Sequence, residues 1–320
     1  MKVLQANINY SNSYSKLDVN SLKIGATLVF NILIKRDKNY VVIIEAGTIL
    51  SEKLYEKLKK QDVLYVSKKD GKKQQLTCES LYTYVNYNKD DLKKSLYFLY
   101  EINKEVFTDF LDSQENMIDV PCLEEIVKSI ILLLNHNPNY LKDTIPHFVN
   151  EYEISYHSLH VSIYAICLAH FLNLTDDQLV QIGLAGLMHD TGTKKINDSI
   201  KNKDSKLDFK ETEAVQKHSN YSIDIARRNN INDPYILDAI LHHHECHDGS
   251  GYPDRLESKD ISDFSSILSI CDVFDALTSE RPYRKDKSTF DALKIMMKEE
   301  SMVYKFNQRY LKIFLQSFLK

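Results

Sequence analysis

Short apolar runs of strand length dominate the first seventy residues of the chain. TLVFNILI and YVVIIE are rich in β-branched residues and flank the turn-like stretch KRDKN, which predicts two paired strands. Ser51 then offers an N-cap for a short helix through about Gln61, and VLYV predicts a third strand. The polar, glycine-broken stretch SKKDGKKQQ is typical of a linker. We therefore predict a small α/β, β-rich domain over residues 1–75.

The apolar spacing becomes helical from about Leu92 and stays so almost to the end. Typical stretches are LEEIVKSIILLLN, YHSLHVSIYAICLAHFLNL and DQLVQIGLAGLMHD. Several helix starts carry capping residues, namely Thr175 with Gln178, Asp208 with Glu211, and Asp233 before Pro234. The predicted fold class is mainly α, with residues 76–148 as a helical connecting region and residues 149–320 as an all-helical domain.

Composition and charge limit the classes of partner. The chain has 320 residues, of which 43% are hydrophobic, enough to build cores for two domains. Its 41 basic and 45 acidic residues give a formal net charge of -4. No general attraction to nucleic acid or to an anionic membrane is expected from this balance. An anionic ligand must therefore be held by a local site.

Cysteine usage and the lack of targeting segments indicate the compartment. The five cysteines are scattered and form no CxxC pair, which argues against a disulfide framework and a zinc ribbon. The stretch MKVLQANINY has no apolar signal-peptide core, and no run of about eighteen apolar residues occurs. We expect a soluble, cytoplasmic protein in a reducing environment.

Histidines are concentrated in the C-terminal half. None precedes His136, and nine of the eleven lie between His157 and His247. The stretch HHHECHDGSGYP alone holds four, followed by a glycine- and proline-containing turn. Any histidine chemistry therefore belongs to this half of the chain.

A metal site is the chemistry that these residue types favour. LMHDTGT ends an apolar helix with His189 beside Asp190. An imidazole nitrogen and a carboxylate that can bridge two cations suit transition metals. By itself this pair is a weak signal, because such a dipeptide is more often a solvated helix end.

Further candidates strengthen the metal hypothesis when they are placed on their predicted helices. His218 lies late in the helix opened by Asp208, and His243 and His244 end the helix opened by Asp233. Asp272 lies in the apolar helix SSILSICDVFDALTS, where a buried carboxylate needs a partner. Glu153 and His157 are four residues apart and would share one helix face. The alternative is that each is a separate core or surface polar residue, and this explanation would have to be true of all eight residues at once.

These motifs resemble the HD-GYP group within the HD-domain metal-dependent phosphohydrolases. The resemblance rests on segments that come in the family's order over roughly residues 150–310: His157-Ser158, His189-Asp190, His218, HHE at 243–245, DGSGYP at 248–253 and DVFDALTSERPYR at 272–284. It implies an all-helical HD-type domain that hydrolyses the bacterial messenger cyclic di-GMP to pGpG, with a further step to GMP left open. It also implies two or three metal ions, iron first and manganese second.

The resemblance assigns roles residue by residue. The implied metal ligands are His157, His189, Asp190, His218, His243, His244 and Asp272, with Glu153 favouring a third ion. Arg281 and Arg284 match the positions that hold phosphate and guanine, and Tyr252 matches the tyrosine of the family's name. Gly249 and Gly251 are expected to bring backbone N–H groups close to a nucleotide. His242 and His247 are not expected to be ligands.

Thr193 departs from the family pattern. Two cations can acidify a bridging water and neutralise phosphodiester charge, and the family pattern HDxGK adds a lysine where this chain has Thr193. Loss of that charge would slow the chemistry about 100-fold unless Lys194 or Lys195 reaches the same region. Asp190 and Thr193 are therefore the positions that decide catalysis.

Two functional hypotheses stay open from the sequence. The first is a cyclic di-GMP phosphodiesterase. The second is a metal-containing cyclic dinucleotide receptor with little turnover that signals through a protein partner, for example at the strand edges of the N-terminal domain. A third, purely structural role would require the metal site to be incidental. The sequence leaves open the native metal, the product, the preferred cyclic dinucleotide and the oligomeric state.

Overall fold

The computed structural model describes residues 14–22, 24–25, 28, 30–37, 39–67, 78–138, 153–201, 203, 205–279, 287–299 and 301–319. The chain divides into two compact units, Met1–Ser80 and Leu81–Lys320. A small sheet lies in the first unit and the second is helical, which confirms the predicted fold class.

The N-terminal unit is built on a four-stranded antiparallel sheet with the order β1-β4-β2-β3. Its elements are β1 Tyr14–Leu17, β2 Ile32–Arg36, β3 Asn39–Ile44, helix α1 Glu52–Lys59 and β4 Leu64–Ser67. The Ser51 hydroxyl accepts from Leu54 N, as the capping prediction requires. The three predicted strands are present, whereas β1 was not predicted because YSKL buries only Leu17.

Helices make up most of the remaining described chain. Their bounds are α2 Cys78–Tyr87, α3 Leu92–Asp112, α4 Val120–His136, α5 Ile154–Phe171, α6 Asp176–Met188, α7 Asp198–Lys201, α8 Phe209–Gln216, α9 His218–Arg228, α10 Pro234–His242, α11 Asp263–Thr278, α12 Thr289–Lys298 and α13 Gln308–Leu319. A short 3-10 turn, Thr191–Lys195, follows α6. The sequence predicted that helices begin at about Leu92, whereas α2 already begins at Cys78.

Helix α5 is the centre of the helical unit. Almost its whole length is buried, because α3, α4, α6, α11 and α13 pack around it. A helix enclosed in this way has no solvated face, so its polar residues must find partners inside the protein. His157 and His160 lie on this helix and are buried.

The predicted caps fix where three site-bearing helices begin. Thr175 with Gln178 and Asp208 with Glu211 form complete capping boxes. Asp233 caps α10, with proline at its first position. The C-terminal caps of α6 and α10 are candidate ligands, and His218 lies two residues after the end of α8.

The domain boundaries differ from the predicted division. Helices α3 and α4, placed by the sequence in a separate connecting region, belong to the same compact unit as α5 and α6 and pack against them. The predicted linker SKKDGKKQQ lies, apart from Ser67, outside the described residues.

The cysteines occur both as free thiols and in disulfide-bonded form. Cys167, Cys246 and Cys271 are free thiols, whereas Cys78 and Cys122 are disulfide-bonded, which the scattered spacing did not indicate. Among the described residues, no helix is long and apolar enough to cross a bilayer.

Asn229 ties the α3–α4 connection to the end of α9, and its loss should destabilise the helical unit. Its buried side chain accepts from Ile118 N at 2.9 Å and donates to Asn116 O and Ile225 O. Asn229→Ala leaves a buried N–H without its acceptor, so we expect the free energy of unfolding to fall by about 2 kcal/mol or more. Chemical denaturation measures this. The exposed Asn232→Ala is the matched control, and an equal effect of both variants would contradict the assignment.

Candidate metal centre

Three histidines of the cluster lie at or just after the C-terminal ends of helices. His189 and His243 are the C-terminal caps of α6 and α10. His218, predicted to lie late in the helix opened by Asp208, instead comes after the C-cap Lys217 of α8 and is the first residue of α9. Each ring places Nδ1 against the carbonyl three residues earlier, at 2.8 Å for Gly186, 2.7 Å for Val215 and 2.8 Å for Ile240. The last carbonyls of a helix have no partner within the helix, so these imidazoles supply the missing donor. A proton fixed on Nδ1 leaves the Nε2 lone pair pointing into the centre.

The structure gathers seven of the eight predicted ligands into two groups. In each group, one ligand atom per residue lies within 4.8 Å of all the others. The first group is His157, His189 and Asp272, and the second group is Asp190, His218, His243 and His244.

Asp190 lies between the two groups and faces both. Its Oδ2 is 3.7 Å from Nε2 of both His157 and His189. Its Oδ1 is 3.2 Å from His218 Nε2 and 3.9 Å from His243 Nε2. One carboxylate thus presents one oxygen to each group, which is the arrangement of a bridging ligand.

Asp272 makes a second connection between the groups. Its Oδ1 is 3.3 Å from His157 Nε2, and its Oδ2 is 3.7 Å from His244 Nδ1. The prediction that this carboxylate of an apolar helix needs polar partners is confirmed, since histidines of both groups surround it.

The donor atoms are arranged to bind cations rather than to form hydrogen bonds with one another. His157 Nε2 lies 3.2 Å from His189 Nε2, and His218 Nε2 lies 3.4 Å from His243 Nε2. The Nδ1 protons of all four rings are already committed to carbonyl or carboxylate oxygens. Each Nε2 pair therefore brings two lone pairs together, and an ion between them would satisfy both.

The charges of the buried groups also suit divalent cations. Burial lowers the pKa of His189 and His243, and lowers that of His244 to about 4, so these rings are neutral at pH 7. Burial by itself would raise the pKa of Asp190 and Asp272, but the neighbouring histidines hold both below the usual range. These three rings therefore have lone pairs available for a cation, and the two carboxylates supply negative charge beside them.

Glu153 is the predicted ligand that the structure does not bring into either group. It caps α5 with extended backbone, and its carboxylate lies 3.3 Å from Lys104 Nζ on α3. The prediction of a shared face with His157 assumed that the helix had begun before Glu153, but it begins at Ile154. His242 and His247, predicted not to be ligands, contact Asp238, Asp254 and Ser266 instead.

The loop after the histidines folds back onto them. Glu245 accepts from Asp254 N at 2.7 Å and Leu256 N at 3.0 Å, a holding role that the sequence did not assign. A Cβ on Gly251 would lie 2.4 to 2.6 Å from the backbone of residues 244–246, so only glycine allows this approach. Tyr252 then packs over the His244 ring, with centroids 4.7 Å apart.

The predicted nucleotide contacts of Gly249 and Gly251 lie in this loop. Gly249 N donates to Cys246 O at 2.8 Å, so that N–H is used within the loop. Gly251 allows the close approach of the loop to residues 244–246, and its proposed contact with a nucleotide stays a prediction. Arg281 and Arg284 lie outside the described residues.

Neither lysine after Thr193 takes the place of the missing lysine. Thr193 Oγ1 donates to Asp190 O at 2.7 Å. Lys194 Nζ donates to Phe110 O and Ser113 O at the end of α3, and Lys195 Nζ lies over the Tyr221 ring. A Cβ on Gly192 would lie 2.0 Å from His218 O, so the backbone of this turn is packed against α9.

Comparisons with known proteins agree with this geometry. A family model described as HD domain matches residues 135–305, more than half of the chain. A curated relative, the cyclic di-GMP phosphodiesterase PA4108 of Pseudomonas aeruginosa, is 34% identical over 179 residues, which are 56% of this chain and 43% of the relative. The 3'3'-cGAMP-specific phosphodiesterase 2 of Vibrio cholerae is 39% identical over 133 residues, 41% of this chain and 26% of the relative. The chain thus spans less than half the length of either relative.

A solved structure shares the fold. Bd1817, an HDG"Y"P protein from Bdellovibrio bacteriovorus, is 18% identical with a TM-score of 0.57, and the match covers 96% of this chain and 100% of that one. At this identity the match shows fold alone.

The bridging position of Asp190 makes its charge the most sensitive feature of the centre. Asp190→Asn removes the negative charge and replaces one oxygen donor with an NH₂ group, so one of the two groups loses its shared ligand. We expect metal content, measured by elemental analysis after anaerobic reconstitution with Mn²⁺, to fall by about half or more. Asp254→Asn, at an exposed carboxylate outside both groups, should retain the wild-type content. Full occupancy in Asp190→Asn would exclude a bridging role.

Proposed function

The chain belongs to the HD domain family, in its HD-GYP group, and on this premise we propose that it hydrolyses the phosphodiester bonds of a cyclic dinucleotide. The observation that carries the proposal is Asp190, which presents one oxygen to each of two histidine groups. A carboxylate in this position suits a two-cation centre of the kind that cleaves phosphate esters. The names of the curated relatives support the same class of substrate.

The seven clustered residues would hold the ions, with iron proposed first and manganese second. Such ions supply a nucleophile near neutral pH and neutralise charge that develops on the phosphodiester. Nitrogen and carboxylate donors suit both metals, so donor chemistry alone does not choose between them. The proposal takes two ions as the occupancy, since Glu153 is paired with Lys104.

The chain's own residues would position the substrate. Tyr252 lies over His244 at the edge of the cluster and remains partly exposed, so its ring can contact a nucleotide that enters there. Burial raises the pKa of Tyr252, which keeps its hydroxyl a proton donor. We propose Arg281 and Arg284 as the groups that hold phosphate and guanine, because guanidinium donors match both in a bidentate manner.

Cyclic di-GMP is the proposed substrate, with pGpG as the first product and GMP as the second. The relative from Pseudomonas aeruginosa is named for this messenger, and the one from Vibrio cholerae for 3'3'-cGAMP. The two substrates share a guanylate half, so both belong in the assay.

A second candidate function is favoured by the surroundings of Thr193. The family lysine is absent, and Lys194 and Lys195 are engaged elsewhere. A centre that binds the dinucleotide but turns it over slowly would act as a receptor. A protein partner could then bind the N-terminal unit, where the edge strand β3 exposes Val42 and Ile43.

Turnover by metal-loaded protein tests the proposal directly. Protein purified without oxygen, with iron or manganese retained, should release linear dinucleotide from cyclic di-GMP, followed by chromatography. A variant with His189→Ala and Asp190→Ala should release none, because each group loses a ligand. If the loaded wild type yields no product from cyclic di-GMP or 3'3'-cGAMP, the phosphodiesterase proposal fails, and tight binding of either compound would then support the receptor.

Restoring the missing charge should accelerate the reaction. Thr193→Lys places an ammonium group beside Asp190, and we expect kcat to rise by up to about 100-fold from added electrostatic stabilisation. Thr193→Gln is the control, since it has similar length without charge and loses the same Thr193 hydroxyl bond. Equal kcat values in the two variants would show that the lysine charge does not limit this enzyme.

A further inference from the structure

A buried chain of hydrogen bonds runs outward from the first group. His157 Nδ1 lies 2.7 Å from Asp275 Oδ2, and His160 Nδ1 lies 2.8 Å from Asp275 Oδ1. The Tyr100 hydroxyl lies 2.5 Å from His160 Nε2. All four residues are at most 3% exposed, so water does not compete for these bonds.

The direction of each bond follows from the chemistry of its ends. Asp275 accepts from two imidazoles and from the Ser279 hydroxyl, which suits an ionised carboxylate. With its Nδ1 proton given to Asp275, a neutral His160 has a lone pair on Nε2 and accepts from Tyr100. Burial raises the pKa of Tyr100 well above its usual value, so the phenol keeps its proton and donates it.

Tyr100 lies outside the part of the chain that matches the family model. The match covers residues 135–305, whereas Tyr100 is on α3, Leu92–Asp112. Helix α3 is fixed against α5 next to this bond, because Asn103 Nδ2 donates to Ser155 O. A helix outside the matched domain therefore contributes the last member of a chain that ends on a metal-facing imidazole.

We propose that Tyr100 is a positioning residue for the metal centre, acting on His157 through His160 and Asp275. The bond from Tyr100 fixes the tautomer and ring orientation of His160. His160 in turn shares the charge of Asp275, and the remaining charge on Asp275 sets how strongly His157 donates electrons from Nε2. Partners behind a ligating histidine tune metal affinity in this way.

The inference rests on the metal centre of the proposed function and not on the identity of the substrate. Removing the Tyr100 hydroxyl leaves His160 Nε2 buried without its donor, so the ring loses its fixed tautomer. The electron donation of His157 then changes, although no ligand has been altered. Both metal affinity and the electronic spectrum of a bound ion should respond.

Co²⁺ titration of the metal-free full chain provides the test, since its visible absorption reports ligand field as well as binding. We expect Tyr100→Phe to weaken Co²⁺ binding at one site about fivefold or more and to shift the absorption bands. Tyr84→Phe is the matched control, because it removes the hydroxyl of another buried tyrosine in the helical unit, packed against Phe98. It should leave affinity and spectrum at wild-type values.

A double-mutant cycle shows whether Tyr100 acts through His160. His160→Asn keeps a donor toward Asp275 but offers Tyr100 no imidazole, so Tyr100→Phe should have no further effect in that background. Equal effects of Tyr100→Phe in both backgrounds, or a wild-type Co²⁺ spectrum in Tyr100→Phe, would overturn the proposal. Failure of the wild type to bind Co²⁺ would instead refute the metal centre itself. The melting temperature of each metal-free variant, compared with Tyr84→Phe, separates positioning from loss of stability.

Discussion

The fixed Nδ1 proton of four of the five clustered histidines is the constraint on which the centre depends. Three rings donate it to the carbonyl three residues earlier, at or just beyond the end of a helix, and the fourth donates it to Asp275. Each helix must therefore end at the right turn and in the right place. The capping boxes of α6 and α8 and the Asp233 cap of α10 set those lengths. Local hydrogen bonding thus decides how the site is assembled.

The assembled site is costly for the protein alone. Asp190, which is partly buried, and the buried Asp272 carry charge, and the Nε2 atoms of neighbouring rings lie 3.2 to 3.4 Å apart. Groups of this kind destabilise a fold unless an ion or a proton joins them. The packing of α3, α4, α6, α11 and α13 around the buried helix α5 supplies the stability that holds the cluster in place. Metal binding would then add to the free energy of folding, since the unfolded chain has no such site.

Sequence patterns predicted what is local and missed what depends on distant packing. His189, Asp190, His243 and His244 could be placed because caps and apolar periodicity locate helix ends. Glu153 was misplaced because α5 begins at Ile154, one residue after Glu153. Its carboxylate contacts Lys104 Nζ instead of the cluster. Asp275 lies one turn beyond Asp272, a signal that could have marked it as a partner of the same site. Nothing in the sequence pairs Tyr100 with His160, because the contact joins residues 60 positions apart.

Helix α3 shows why a shared set of ligands does not fix the properties of a centre. The family match spans the seven clustered residues but not the helix that carries Tyr100 and that receives Lys194 at its C-terminal end. Lys194 is thereby held by the carbonyls at the end of α3, while Tyr100 contacts His160 and so reaches His157 through Asp275. Both contacts depend on how α3 packs against α5 and the turn after α6. Two proteins with the same ligands can therefore differ in metal affinity and in rate through a helix that lies outside the domain they share.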